Sequence, residues 1–134
     1  MPDAPSPELA FELAQAYWPD VEHDPRQLLV VPVGSLEQHG LHLPLDTDTR
    51  IAVAVARRAC AGRPGAALAP PLPIGASGEH AAFPGTLSIG SEALASCLIE
   101  LGRHAALPGG DAHAGRLVKS LSGTMDQFLE RRPG

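Results

Sequence analysis

A six-residue apolar run, Leu28-Leu29-Val30-Val31-Pro32-Val33, hands over without a spacer to a loop, residues 34–48, that holds two histidines and three acids. A continuous apolar run of this length reads as a strand buried on both faces. The residues after the loop, from Thr49 through Ile51-Ala52-Val53-Ala54-Val55-Ala56 to Arg58, read as a helix that is apolar nearly all round. Buried strand, polar loop and helix together form the repeating unit of an α/β fold. Ligands in such folds collect beyond the carboxyl ends of the strands, so the chemistry of this chain is expected at one mouth of a sheet.

The rest of the chain supplies partners for that unit. Ser6-Pro7-Glu8 has the form of a helix start, with a capping hydroxyl, a proline at the first helical position and an acid near the positive end. Leu9, Leu13 and Ala16 then predict an apolar helical stripe that Pro19 ends. Residues 21–27 read as a polar connector, and His23 beside Asp24-Pro25 is given no role. The Thr49 helix is expected to run to about Ala61, where Gly62 and Pro64 stop it. Ala66–Ala69 reads as a short second strand, cut off by Pro70, Pro71 and Pro73. From Ile74 to Ser88 the composition turns to Gly, Ser, Pro, Glu and His, which predicts a long loop of the kind that is usually functional or disordered. Ser91-Glu92 predicts a capped helix with Leu94, Cys97, Leu98 and Leu101 on one face, ending near Ala105. Pro108-Gly109-Gly110 breaks the chain, and a short helix is expected around Thr124 to Arg131. With only two clear strands, the apolar helix faces are expected to lack cover, making the chain weakly cooperative and prone to associate.

Composition bounds the function classes. The 134 residues suit one domain spanning 1–134. A net charge of -5 with scattered acids offers no basic patch to nucleic acid or an anionic membrane. Aromatics at 4 % leave few rings on which bases might stack. Cys60 and Cys97 lie inside apolar helical patterns and read as buried structural thiols, which points to a cytoplasmic chain. The first residues carry acids where a secretory leader needs positive charge, and no apolar run reaches membrane-spanning length.

In an extended segment, residues two apart point to the same side. Glu37 and His39 can therefore address one point while Gln38 faces away. A carboxylate and an imidazole converging on one spot are typical ligands for zinc, iron or manganese. Asp48, at the start of the helix, can supply a third ligand or bridge two metals. It can equally serve as a helix N-cap, and the loop as a whole can equally be a hydrogen-bonded structural element.

The stretch from Val33-Gly34-Ser35 through Asp48, with Glu37-Gln38-His39-Gly40 and His42-Leu43-Pro44-Leu45, resembles the signature of the creatininase family of metal-dependent amidohydrolases. The loop Ser77-Gly78-Glu79-His80-Ala81-Ala82-Phe83-Pro84-Gly85-Thr86-Leu87-Ser88 is similar to that family's next block. Asp46 to Ala52 and Ser77-Gly78-Glu79-His80 are most similar to the branch found in mycofactocin biosynthesis, which trims a modified precursor peptide at an amide bond. The resemblance covers roughly residues 28–104 and again 108–116. It implies a three-layer α/β fold with a mainly parallel sheet, incomplete here. It also implies two divalent metals sharing a hydroxide that attacks an amide carbonyl. By the same resemblance Glu37 and His39 each hold a metal and Asp48 bridges them. Glu79 and His80 lie near the substrate or pin their loop, and His42 orients a ligand or is structural. The implied substrate is a small peptide or a cyclic amide such as creatinine, and family members assemble into oligomers.

The departures matter as much. The family carries a further strand followed by Asn-Gly-His, supplying another histidine ligand, and a later block ending in an acid. Here Arg103-His104-Ala105-Ala106 runs directly into Leu107-Pro108-Gly109-Gly110-Asp111-Ala112-His113, and Val118 stands where the acid is expected. Two family ligands are therefore absent, leaving two metals, one or none. Three readings follow: a metalloamidase in which His113 or His104 substitutes, a non-catalytic remnant that binds a partner, and a chain with no stable fold.

Overall fold

Strand β2 (Leu28–Val33) forms where the apolar run predicts it, with every residue but Leu28 buried. The computed structural model describes residues 9–24, 26 and 28–105, together with the backbone of Arg116–Leu121. β2 is an inner strand of a four-stranded, all-parallel sheet. On one side it pairs over Leu28–Val30 with β3 (Ala66–Leu68), and β3 pairs in turn with the two-residue β1 (Phe11–Glu12). On the other side all six residues pair with β4 (Arg116–Leu121). The sheet order is β1-β3-β2-β4.

A proline inside an inner strand removes a ladder donor and is ordinarily confined to edges. Pro32 escapes the penalty through its position. The carbonyls of Val30 and Pro32 accept from Ala69 and Leu72, both 2.9 Å away, so even-numbered residues of β2 face the β3 side. By Pro32 the regular strand β3 has already ended at Leu68, so the missing N–H falls beyond the Leu28–Val30 stretch that pairs with β3.

Helix α2 (Thr47–Cys60) covers one face of the sheet. Its Ala52, Ala56 and Cys60 are buried at helical spacing, and Ala56 and Cys60 pack on Val30, Ala66 and Leu68. Small side chains let the helix approach the strands closely. Ile51 and Val55 point away and stay about half exposed, so the helix is amphipathic and not buried all round. Helix α3 (Gly90–His104) lies on the opposite face, where Leu94 and Leu98 meet Val33. The two helices sandwich the sheet in the three layers expected. The buried stripe of α3 is narrow: Leu94 and Leu98 are buried and Ala105 at its end packs near Leu29 and Val31, while Leu101 and Cys97 are exposed. Cys97 is therefore not the buried thiol its apolar pattern predicts, whereas Cys60 is.

Two further expectations change. Residues 9–16 do not form a helix. Phe11 and Glu12 are extended beside β3, and Leu13–Gln15 make one 3₁₀ turn. Phe11 sits under the Arg26 guanidinium at 3.9 Å, and Glu12 takes a two-point contact from Arg57 of α2. These tertiary partners override the helical spacing. Pro19 begins a short helix, α1 (Trp18–Glu22), instead of ending one, because a proline near the first helical position forfeits only an N–H that had no partner. Among the described residues the sheet has four strands and not two, which weakens the expectation of a poorly covered core. Helix α3 starts at Gly90, with Ile89 and not Ser91 in the capping position. The expected helix at 124–131 lies outside the described residues. Among the described residues, no helix is long and apolar enough to cross a membrane.

Candidate metal centre

β2 ends at Val33, and two loops meet in front of it. The Gly34 N–H donates to the Leu72 carbonyl at 2.9 Å. A Cβ on Gly34 would lie 2.5 Å from Thr49 Cα, and one on Gly75 would lie 2.5 Å from the Gly34 carbonyl oxygen. The start of α2, the loop after β2 and the loop after β3 therefore approach with no room for a side chain at either glycine. Gly34→Ala should destabilise the fold by about 1–3 kcal/mol, because the obstacle is backbone and not a flexible side-chain end. A lowered urea midpoint at unchanged slope checks this; an unshifted midpoint counts against it.

Glu37, His39 and Asp48 are brought together. One ligand atom from each lies within 4.8 Å of the others. The loop is folded by the Glu37 N–H donating to the Leu45 carbonyl at 3.1 Å, by a bridge between His39 and Leu43, and by Gly40 at a φ of 70° in the turn between them. His39 Nδ1 donates to the Glu37 carbonyl at 3.0 Å, and its Nε2 lies 3.0 Å from Asp48 Oδ1. The second Asp48 oxygen accepts from the Ser35 hydroxyl. Asp48 does not cap the helix: Asp46 occupies the cap position and pairs with Arg50 at 2.8 Å, while Asp48 lies in the first turn, where the helix dipole favours an acid. All three side chains are mostly shielded, with 13–19 % of their surface exposed.

This donor set, two carboxylates and one imidazole, suits zinc, iron or manganese. Opposite ligands of one such ion stand about 4.2 Å apart, twice a bond of roughly 2.1 Å, so sub-ångström side-chain shifts close the trio on a cation. With Nδ1 engaged by the backbone, Nε2 is the nitrogen left for a metal. The His39 pKa is raised from its ordinary value, first by the Glu37 carbonyl, then by the hydrogen bond and charge of Asp48 and the charge of Glu37, against the opposing effect of burial. The raised folded-state value means that imidazolium stabilises the metal-free fold fully below about pH 6.5. That contribution is lost as pH rises through the folded pKa. A proton and a cation compete for the same Nε2, so the thermal upshift produced by added zinc should grow as pH rises from about 5.5 to about 8. Melting curves with and without zinc across that range test this; an upshift independent of pH would contradict it.

The second loop is fastened to the first by the Leu87 N–H donating to Leu36 (2.9 Å) and the Ile89 N–H donating to Gly75 (3.0 Å). It carries His80 in a 3₁₀ turn, Gly78–His80. His80 Nε2 lies 3.7 Å from Glu37 Oε1, and Glu79 beside it is exposed. His42 is exposed on the turn, and His104 is exposed at the end of α3, paired with Glu100 at 3.5 Å. His113 lies outside the described residues. Two contributors escape the sequence reading. Ser35 shares the period-two side with Glu37 and His39, a signal that was there to be used. Gln38 does not face away idly: its amide meets His80 Nδ1 at 3.2 Å, a pairing 42 residues apart that no local pattern announces.

Residues 14–114 match the creatininase family, described as creatinine amidohydrolase. This chain belongs to the creatininase family. The mycofactocin precursor peptide peptidase of Mycobacterium ulcerans is 50 % identical to it over 113 residues, covering 75 % of this chain and 45 % of the relative. The protein of the same name from Mycolicibacterium smegmatis is 57 % identical over 88 residues, covering 62 % and 36 %. A mutant creatininase described as Zn-Zn type superimposes with a TM-score of 0.68 at 31 % identity, covering 81 % of this chain and 43 % of that one. The chain thus spans less than half the length of the relatives it matches. The α/β architecture with helices on a parallel sheet is that of the creatininases, in incomplete form.

Proposed function

We propose that this creatininase-family chain is a metal-dependent hydrolase of C–N amide bonds, with Glu37, His39 and Asp48 as its metal ligands. The observation that carries the reading is the convergence of these three side chains, within 4.8 Å, at the carboxyl end of β2. The two carboxylates offset the charge of a divalent ion, and Ser35 holds Asp48 in place. A divalent cation bound there lowers the pKa of water and polarises a carbonyl. His80, partly exposed beside Glu37, is placed to hold or pass a proton at the edge of the site, and Glu79 stands at its solvent side. His113 is retained as a candidate on the resemblance alone. A peptide substrate is favoured over a cyclic amide by the names of the two mycobacterial relatives. Exposed Leu41, Leu43 and Phe83 on the two loops offer it apolar contacts. The free thiols Cys60 and Cys97 support a cytoplasmic setting.

A second reading, a metal-binding member without hydrolytic activity, rests on the donor count: among the described residues three donors converge, too few for two fully held ions. Metal-stripped protein reloaded with zinc or manganese separates the two. The hydrolase reading expects about two equivalents of metal and metal-dependent release of a C-terminal fragment from a test peptide, seen by mass spectrometry. About one equivalent with peptide and creatinine both untouched supports the second reading. Absence of bound metal overturns both.

A further inference from the structure

We propose that Gln38 and His80 act as a positioning relay that turns an N–H toward the Glu37 carboxylate and so orients that carboxylate for a cation. The inference deepens the metal-site reading and rests on it for its consequence, but the relay itself follows from hydrogen-bond logic. The Gly40 backbone N–H can only donate, and its acceptor is Gln38 Oε1 at 2.8 Å. That contact fixes which way the Gln38 amide points. Its NH₂ group is then the atom pair facing His80 Nδ1 at 3.2 Å, and it must donate. Nδ1 is therefore an acceptor, and the His80 ring carries its proton on Nε2, the nitrogen 3.7 Å from Glu37 Oε1.

His39 is held in the opposite sense, with Nδ1 donating to the Glu37 carbonyl and Nε2 turned to Asp48. The two histidines thus differ: His39 turns Nε2 to the Asp48 carboxylate and has that nitrogen free for a cation only once its proton is lost, whereas His80 turns an N–H toward Glu37. Phe83 packs beside the imidazole, with its ring centroid 6.1 Å from that of His80 and tilted by 41°. Partners of this kind, which orient a ligand without touching the metal, commonly tune affinity 10–100-fold. The relay also ties the loop after β3 to the metal loop, so a displacement of residues 77–88 is transmitted to Glu37.

Nitrogen-15 NMR of the metal-free protein reads the tautomer directly. His80 should carry its proton on Nε2 in the wild type. In Gln38→Glu, both carboxylate oxygens accept, one from Gly40 and one from His80, so a proton should appear on Nδ1. Zinc affinity, measured by competition with a chromophoric chelator, should fall by about 10–100-fold in His80→Ala. His80→Gln should recover most of that loss, because its amide nitrogen stands near the place of Nε2. A wild-type His80 protonated on Nδ1 overturns the relay, as does a folded His80→Ala that binds zinc like the wild type. If His80→Ala does not fold, the tautomer in the wild type and in Gln38→Glu decides the question. A wild type that binds no zinc overturns the metal reading instead, while the tautomer still judges the relay.

Discussion

His39→Ala should leave the protein folded, weaken zinc binding by at least about 100-fold and reduce any amide hydrolysis to background. A four-ligand zinc site binds with roughly 10–16 kcal/mol, so each donor accounts for on the order of 3 kcal/mol. Each 1.4 kcal/mol is a factor of about ten in affinity. His39 is the sole nitrogen of the converging trio, and its Nδ1 bond to the Glu37 carbonyl also shapes the loop that carries Glu37. Its removal therefore takes away one donor and loosens a second. The fold should tolerate the change because the side chain lies at the sheet's mouth, outside the clusters around Val30, Val31 and Val33. Competition titration with a chelator gives the affinity, and circular dichroism gives the fold. Wild-type zinc affinity in folded His39→Ala would remove the histidine from the proposed ligand set.

Leu98→Ala should cost about 2–5 kcal/mol, the usual range for emptying a buried leucine site. Domains of this size have total stabilities of roughly 5–15 kcal/mol, so the urea midpoint should fall by a large fraction of its wild-type value. Leu98 is 5 % exposed and, with Leu94, is the anchor of α3 on Val33. The same cluster receives Leu72 and Ala76, which flank the chain as it enters the loop carrying His80. Truncating Leu98 therefore also frees the second loop, and a moderate loss of zinc affinity should accompany the loss of stability. A midpoint shift worth less than about 1 kcal/mol would mean that α3 collapses into the vacated space. Zinc affinity unchanged despite a large shift would separate the loop from the α3 cluster.

Sequence alone determined the elements whose signal is local. β2 is an unbroken apolar run, and its ends at Leu28 and Val33 are those of the run itself. α2 and α3 follow from apolar spacing within single segments and from the glycines and prolines that bound them. Glu37 and His39 were legible as a pair because period-two geometry is a property of three consecutive residues. The loop motifs carried the resemblance to the creatininases for the same reason: each block is contiguous.

Only the tertiary structure decided what depends on partners far along the chain. Phe11 and Glu12 have helical spacing around them, yet they become a strand because Ala67 and Leu68 offer a free ladder edge. β4 pairs with β2 across 88 positions, Leu28 to Arg116, a match that no window of sequence contains. Cys97 and Leu101 share a predicted stripe with Leu94 and Leu98 but stay exposed, while Leu94 and Leu98 meet Val33. Asp48 reads as a possible cap until Asp46 is seen in the cap position, with Asp48 turned to His39 instead. The bond between Gln38 and His80 joins two loops that only the parallel crossover of β2 and β3 sets side by side. Periodicity specifies which face of an element is apolar, but which surface meets that face is settled when the strands pair, since hydrogen-bond ladders and apolar burial act between segments and not within them.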